Sequence, residues 1–469
     1  VVGGGLAGCE AAWALAERGV AVTLCEMRPV VPTPAHRTDR LAEIVCSNTF
    51  KSTEVTNAHG LLKAELRLLG SLLLDVADGV RVPGGSALAV DRDRFSAEVT
   101  RRVAAHPGVT VVRGEVTALP SPGIVATGPL TSARLARVIA ERLGGSQPAL
   151  AFYDAIAPIV AAESLDPNRL YALSRYGKGG GTDYLNSPLT REQYEGFVDA
   201  LLGAEQFQGH EFDQPPAGGA GGASGLAPGS QNPVPYFEGC LPIEEMARRG
   251  REVLRFGPMK PVGLPDPRTG REPYAVVQLR QEDLAGQMWN LVGFQTRMKI
   301  PEQRRVLALL PGLEHAEFLR FGSIHRNTYV NAPAALTAHL AVRDDDRLLL
   351  AGQLVGVEGY TESLGTGLLA GINLARLLGG SPPALPPAVT MLGSLMRYVH
   401  TADPAHFQPM NANFGLLPPL ERPVRDKQRK KGILAERALA AMREFARGVG
   451  AKAEETTPGP SVTEEATAP

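Results

Sequence analysis

The sequence predicts an α/β protein built on a discontinuous Rossmann-like dinucleotide-binding domain, with a mixed α/β unit inserted into it. Three observations predict this. A glycine fingerprint stands between an apolar strand and a helix at the start of the chain; short buried strands suited to one sheet recur before residue 150 and after residue 331; and the stretch between them has strand and helix patterns but no second fingerprint.

The first element is VVGGGLAG, which gives Gly3-x-Gly5-x-x-Gly8 after an apolar strand and before the helical stretch Cys9 to Gly19. The strand VAVTLCE follows and ends in Glu26, eighteen residues past Gly8. In such a unit Gly3 makes the turn, Gly5 lets the backbone approach a pyrophosphate, Gly8 permits close helix–strand packing, and the helix start offers free N–H groups to the phosphates. Glu26 is placed to accept hydrogen bonds from the adenosine ribose. Next come an amphipathic helix and the strand VTVV within Arg92 to Val112, then the short strand GIVATG, Gly123 to Gly128. This last segment resembles the flavoprotein pattern in which a strand returns to the cofactor before the chain departs for another domain.

Far downstream the buried strand RLLLAG (Arg347 to Gly352) leads through QLVGVEGYTES into the helix SLGTGLLAGINLARLLGG. Gly365, Gly367 and Gly371 leave that helix thin, which suits close approach to a bound ring or, alternatively, tight packing on the sheet. Its N-terminal dipole would stabilise negative charge on a reduced flavin. The cofactor predicted is therefore FAD, in a glutathione-reductase-like domain, with Gly128, Gly352, Gln353, Thr361 and Glu362 placed against it beside the first fingerprint. The boundaries predicted are 1–150 and 332–450 for the two parts of this domain and 151–331 for the insert. Strands AVVQLR (Ala275 to Arg280) and LVGFQT (Leu291 to Thr296) and the helix in PLTREQYEGFVDALL are expected inside the insert. Residues 209–235 read as a flexible linker and 451–469 as a disordered tail. GKGGGT, Gly177 to Thr182, has its Lys before the glycines and no strand leading in, so it reads as a loop and not a phosphate cradle.

Composition narrows the class further. The chain has 469 residues, 44% of them hydrophobic, and a net charge of −1, so any polyanion must be held by a local patch and not by a global field. The four cysteines, Cys9, Cys25, Cys46 and Cys240, form no CxxC pair and have no metal-ligand spacing, which argues for a reducing compartment and against structural zinc. Cys9 and Cys25 fall inside a helix and a strand and read as small core residues. No apolar run reaches membrane-spanning length, so a soluble, cytoplasmic protein without membrane or metal is expected. The chain opens at Val1 inside a strand, so a few residues are expected to precede it.

Eight ordered motifs carry a family resemblance. They are EMRP (Glu26 to Pro29), AEIVCSNTFKS (Ala42 to Ser52), YFEGCLPIEEMARRG (Tyr236 to Gly250), GPMKPVGL (Gly257 to Leu264), GFQTRMKIPEQRRV (Gly293 to Val306), HRNTYVNAP (His325 to Pro333), AGQLVGVEGYTES (Ala351 to Ser363) and FQPMNANFGLLP (Phe407 to Pro418). Together they resemble the TrmFO family of folate- and FAD-dependent tRNA (uracil-5-)-methyltransferases, from the first strand to about Pro418. The related GidA family, which modifies tRNA wobble uridines, is similar in flavin architecture but longer. A GidA-like uridine modifier and a non-catalytic tRNA-binding flavoprotein are the alternative readings.

The resemblance implies a reaction. C5 of uracil is a poor nucleophile, and a thiolate added at C6 pushes electron density to C5. Cys240 is the expected nucleophile and Cys46 its partner thiol, removing the C5 proton or assisting the addition. In the family the carbon comes from 5,10-methylenetetrahydrofolate by way of reduced FAD, NAD(P)H is the reductant, and the substrate is the uridine at position 54 in the T arm of tRNA. Tyr360, in the flavin-side loop, is a candidate substrate contact. Candidate phosphate contacts are Arg248, Arg249, Arg297 and Lys299, together with Arg425, Lys427, Arg429, Lys430 and Lys431 at the start of a C-terminal helix. Residues 209–235 are longer than the family pattern has at that point.

Overall fold

The computed structural model describes residues 1–33, 35–143, 150–207 and 241–451. Cys240, the linker 209–235 and all of the tail but Ala451 lie outside them.

Two apolar cores organise the chain. The first gathers residues from Val2 to Ile139 and again from Tyr329 to Val449, and the second gathers residues from Val160 to Leu313. The first sheet runs Val109–Arg113, Val22–Glu26, the bridge residue Val2, Gly123–Val125 and Asp345–Leu350, all parallel, with Ala341–Val342 antiparallel at the edge. Asp345–Leu350 thus completes, from the far side of the insert, a sheet whose other parallel strands lie before residue 126. The chain leaves and returns on Leu150–Ile156 and Ser323–Tyr329, which pair antiparallel.

The helix Leu6–Ala16 crosses between Val2 and the strand Val22–Glu26 and packs along the helix Tyr360–Leu378. A Cβ on Gly367 would overlap the Ala7 carbonyl, and one on Gly371 would sit 2.6 Å from the Ala11 carbonyl oxygen. The partner of Gly367 and Gly371 is thus neither a bound ring nor the sheet, the two roles the sequence leaves open, but the helix Leu6–Ala16.

The second unit is a six-stranded antiparallel sheet ordered Phe318–Arg320, Ile159–Ala161, Met288–Leu291, Ala275–Gln281, Tyr184–Leu189, Tyr171–Ala172. Helices Arg191–Leu202, Ile243–Arg248 and Ile300–Leu307 bury Tyr194, Phe197, Ile243 and Val306 in its core. The strand expected at Leu291 to Thr296 instead ends at Leu291. Gly293 turns the chain there at φ +78°, with Pro258 Cβ only 2.7 Å from where a side chain would start. The loop at Gly177 to Thr182 takes positive φ at Gly177, Gly179 and Gly181.

Two buried carboxylates cap helices in the first core. Glu10 accepts from Ser71 Oγ and from Leu73 N–H. Glu65 accepts from Met391 N–H at 2.7 Å and Leu392 N–H at 2.8 Å, closing the start of the helix Met391–Thr401. Burial raises the Glu65 carboxyl to about 8 against the pull of those donors. The folded state therefore binds this proton more tightly than the unfolded chain, and the stability it contributes is lost as pH rises from the ordinary carboxylate range toward 8. Thermal unfolding of the wild type and of Glu65→Gln should diverge between about pH 5 and about pH 8, the wild type losing ground as pH rises. A pH-independent difference would contradict this assignment.

Candidate active site

The glycine loop has the geometry of a dinucleotide cradle. Gly3 sits at φ +103° against Ala126 and Thr127, and a Cβ on Gly8 would overlap the Gly3 carbonyl. A Cβ on Gly5 would meet nothing, and the helix that begins after Gly5 has no side-chain cap. Its first N–H groups are thus open to an anion, with the positive end of the helix behind them. Glu26 is buried beside the loop, where Oε2 accepts from Gly4 N–H at 2.8 Å and Oε1 accepts from the N–H and Nε of Arg28. Burial pushes this carboxyl up, but the Arg28 hydrogen bond and charge, with the two backbone donors, outweigh it and hold it below the usual range. Oε2 has one protein donor and retains capacity for a ribose hydroxyl. These residues fit a bound dinucleotide.

Two other predicted cofactor positions, Gly128 and Gly352, lie near the same loop. Gly128, at φ +65° with open space where a side chain would be, follows the Ala126-Thr127 segment that packs on Gly3. Gly352, at φ +77°, abuts Ala7, and its N–H donates to Thr366 Oγ1 at 2.8 Å. Gln353 donates to Glu358 at 2.7 Å. Thr361 and Glu362 are buried in the first turn of the helix Tyr360–Leu378, which starts at Gly359 without a side-chain cap. Glu362 faces back into the protein: Oε1 accepts from Ala412 N–H at 2.9 Å and lies 3.1 Å from His59 Nδ1. Burial raises the Glu362 carboxyl, but His59, Lys51 and the Ala412 N–H hold it low.

Cys46 is brought to this place by its neighbours in the chain. Ala42 N–H donates to the Gly4 carbonyl at 2.8 Å, which anchors the segment on the glycine loop. Four residues later the N–H groups of Cys46 and Ser47 both donate to Tyr360 Oη, at 2.9 and 3.1 Å. Tyr360 therefore acts here as a clamp on the cysteine loop, its ring tilted against Phe50 at 5.6 Å. Burial, and then the Cys46 thiol, push the Tyr360 phenol far up, so it stays protonated. Lys63 supports the same loop from beneath, donating to the Phe50 carbonyl at 2.7 Å, and burial lowers its ammonium to about 7.

Several groups at this site were not legible in the sequence. Asn48 is fully buried and ties the two units together, donating to the Gln281 carbonyl at 2.9 Å and accepting from Arg280 Nε at 2.9 Å. Arg92 donates to the Ile44 carbonyl at 2.9 Å and pairs with Glu282 at 2.5 Å. Arg320 reaches from the second unit toward the Ala35 carbonyl at 3.5 Å. Arg92 and Arg320 both lie within electrostatic reach of Cys46 and Tyr360. The only sequence signal for Asn48 was its place in the CSNTFKS motif; the arginines gave none.

The predicted basic contacts divide. Arg248 and Arg297 share Glu245, and Lys299 pairs with Glu205. Arg249 is exposed on the same short helix end. Arg425, Lys427, Arg429 and Lys430 are exposed, and Lys431 lies 5.8 Å from the Phe414 ring. The helix Lys427–Gly448 buries Leu434, Ala435, Ala438 and Met442 and packs on the helix Ala58–Leu68. Cys9 is buried with its thiol 3.4 Å from the Gly4 carbonyl, where burial and the nearby Glu26 and Glu10 push it far up. Among the described residues no cluster of three metal-ligating side chains occurs and no helix is long and apolar enough to cross a membrane.

Comparisons place this geometry among known proteins. The family described as glucose inhibited division protein A matches residues 1–382. A methylenetetrahydrofolate–tRNA-(uracil-5-)-methyltransferase TrmFO of Geobacter sulfurreducens is 56% identical over 444 residues, covering 94% of this chain and 97% of the relative. The protein of the same name from Solibacter usitatus is 55% identical over 454 residues, covering 95% and 98%. Among solved structures, Aquifex aeolicus GidA superposes with a TM-score of 0.66 at 17% identity, covering 97% of this chain and 76% of that one, a likeness of fold.

Proposed function

The chain belongs to the TrmFO family of tRNA (uracil-5-)-methyltransferases, within the GidA group, and from that premise we propose how its residues divide the work. The protein is an FAD-dependent enzyme that methylates C5 of a uracil in tRNA. The high identity to TrmFO proteins along nearly the whole chain favours this over the GidA-like and non-catalytic readings.

Gly3, Gly5, Gly8, Glu26, Gly128 and Gly352 hold the FAD, with Gln353, Thr361 and Glu362 shaping the wall near its reactive end. Bound there, FAD supplies the electrons that make a methyl group of a methylene donor. The donor is 5,10-methylenetetrahydrofolate, and NAD(P)H restores the reduced state. The Cys240 thiolate adds to C6 of uridine 54 in the T loop, and that uridine leaves its stack to reach the cleft. C5, made nucleophilic by that addition, bonds to the donor's one-carbon unit. Cys46 then takes the C5 proton, and the electron pair left at C5 restores the C5–C6 double bond as C6 releases the Cys240 sulfur, while the two electrons that bring the carbon to the methyl level would come from the bound reduced cofactor. The observation that carries this assignment is the seating of the Cys46 loop, on Gly4 at one end and on Tyr360 at the other, between the cradle and the start of the glycine-rich helix.

Electrostatics also favour a tRNA surface on the C-terminal helix. Lys427, Arg429, Lys430 and Lys431 crowd the positive end of a helix whose cap carboxylate is Asp426. Cations there work against the dipole by about 0.3–1 kcal/mol each, an arrangement that a phosphate would relieve. Arg248, Arg297 and Lys299, already paired with glutamates, contribute less.

Holoenzyme incubated with a T-arm RNA, methylenetetrahydrofolate and NADPH or NADH should yield 5-methyluridine at position 54, with RNA affinity falling steeply as salt rises. Absence of that product with both reductants would overturn the reading.

A further inference from the structure

Arg320 ends an edge strand of the second unit and crosses to the first, where its guanidinium, among the described residues, makes a single long hydrogen bond to the Ala35 carbonyl at 3.5 Å. Among the described residues it has no carboxylate partner. Its neighbours are cationic: Arg92, whose charge is matched by Glu282, and Arg37, whose guanidinium has no partner among the described residues. His36, beside them, is held low by burial and by Arg28, so it stays neutral and supplies no compensation of either sign. Burial, with Arg92 and Arg37 adding to it, pushes the Arg320 guanidinium down to about 10, while Tyr360 and Cys46 oppose that fall. A half-buried arginine in like-charged company is a poor structural choice, because it gives up hydration without gaining an ion pair. An oxyanion bound between the two units would reverse that balance.

We propose that Arg320, with Arg37 and Arg92 beside it, is the seat of a backbone phosphate of the substrate RNA, that of the methylated uridine or its immediate neighbour. The inference rests on the reading that Cys46 serves the reaction. Arg92 donates to the Ile44 carbonyl at 2.9 Å, two residues before Cys46, which places this cationic group beside the cysteine loop where the flanking phosphate of a bound base would lie. The diphosphate of the dinucleotide has donors of its own at the helix start after Gly5. Arg320 also belongs to the opposite unit from that cradle. The guanidinium fork suits a phosphate, which can take two parallel hydrogen bonds from it. This site would fix the extruded nucleotide at the junction of the two units.

The test compares Arg320→Gln holoenzyme with wild type in three measurements: tRNA affinity across a salt titration, the FAD-to-protein ratio from the visible spectrum, and the KM for methylenetetrahydrofolate. The expected result is a loss in tRNA affinity of about 10- to 100-fold, a salt slope reduced by about one, and unchanged FAD content and folate KM. Arg320→Lys should retain the slope and recover part of the affinity, since it keeps the charge without the fork. Arg37→Gln should lower the slope by a smaller amount, and carries the test if Arg320→Gln does not purify as folded holoenzyme. An unchanged tRNA slope in Arg320→Gln and Arg37→Gln overturns the proposal. So does loss of FAD alone, which would assign the site to the cofactor, or a raised folate KM alone, which would assign it to the folate carboxylates. Wild-type formation of 5-methyluridine in parallel separates failure of this inference from failure of the proposed function.

Discussion

Cys46→Ala is expected to slow 5-methyluridine formation by about 10²- to 10⁴-fold, the range for removing a positioned proton acceptor. FAD content and tRNA affinity should stay near wild type. The reason lies in how the loop is held. Its fixed points are the N–H groups of Ala42, Cys46 and Ser47 and the side chain of Asn48, and none of them is the thiol. Truncating the side chain therefore deletes a chemical group and leaves its support in place. Single-turnover kinetics with saturating RNA would read the effect directly. If the loss instead appeared wholly in KM for tRNA, the thiol would be a binding contact and the proton would have another acceptor.

Gly367→Val is expected to unfold the cofactor cradle at a distance. A Cβ at this position overlaps the Ala7 carbonyl, and two further methyl groups cannot be accommodated between the helices Leu6–Ala16 and Tyr360–Leu378. Overpacking of this kind costs about 1–3 kcal/mol or more, and the helix that must yield is the one whose start we propose as the seat of the diphosphate. The variant should melt several degrees lower and purify with little FAD. Gly432 is the control, because it lies inside the helix Lys427–Gly448 with open space around it. Gly432→Ala should stabilise the protein by up to about 1 kcal/mol, the ordinary helix preference of alanine over glycine. Equal tolerance of both substitutions in thermal unfolding would contradict the packing account.

These two sites also mark what the sequence could tell. The fingerprint at Gly3, Gly5 and Gly8, the acid at Glu26 and the returning strand Asp345–Leu350 were legible because each is a local pattern whose spacing has one physical use. The glycines of the helix Tyr360–Leu378 were legible as closeness but not as closeness to what, since a ring and a neighbouring helix make the same demand. The strand assigned to Leu291–Thr296 failed because the apolar run continues through Gly293, and only the left-handed turn there reveals that it has ended. Asn48 with Gln281 and Arg92 with Glu282 join residues 233 and 190 positions apart. No periodicity encodes such a pair. Arg297 and Lys299 looked like the Lys and Arg of the C-terminal helix in composition; the difference, glutamates across the fold, exists only in three dimensions.

The claim on which the rest turns is that a thiol of this chain bonds covalently to C6 of the target uracil. A T-arm RNA carrying 5-fluorouridine at position 54 tests it, because fluorine at C5 cannot leave as a proton and the thioether cannot resolve. With methylenetetrahydrofolate and NADPH present, mass spectrometry should find one RNA-linked peptide, modified at Cys240 and absent from Cys240→Ala. An adduct that persists in Cys240→Ala, or none at all from an enzyme that methylates the normal RNA, would contradict the account.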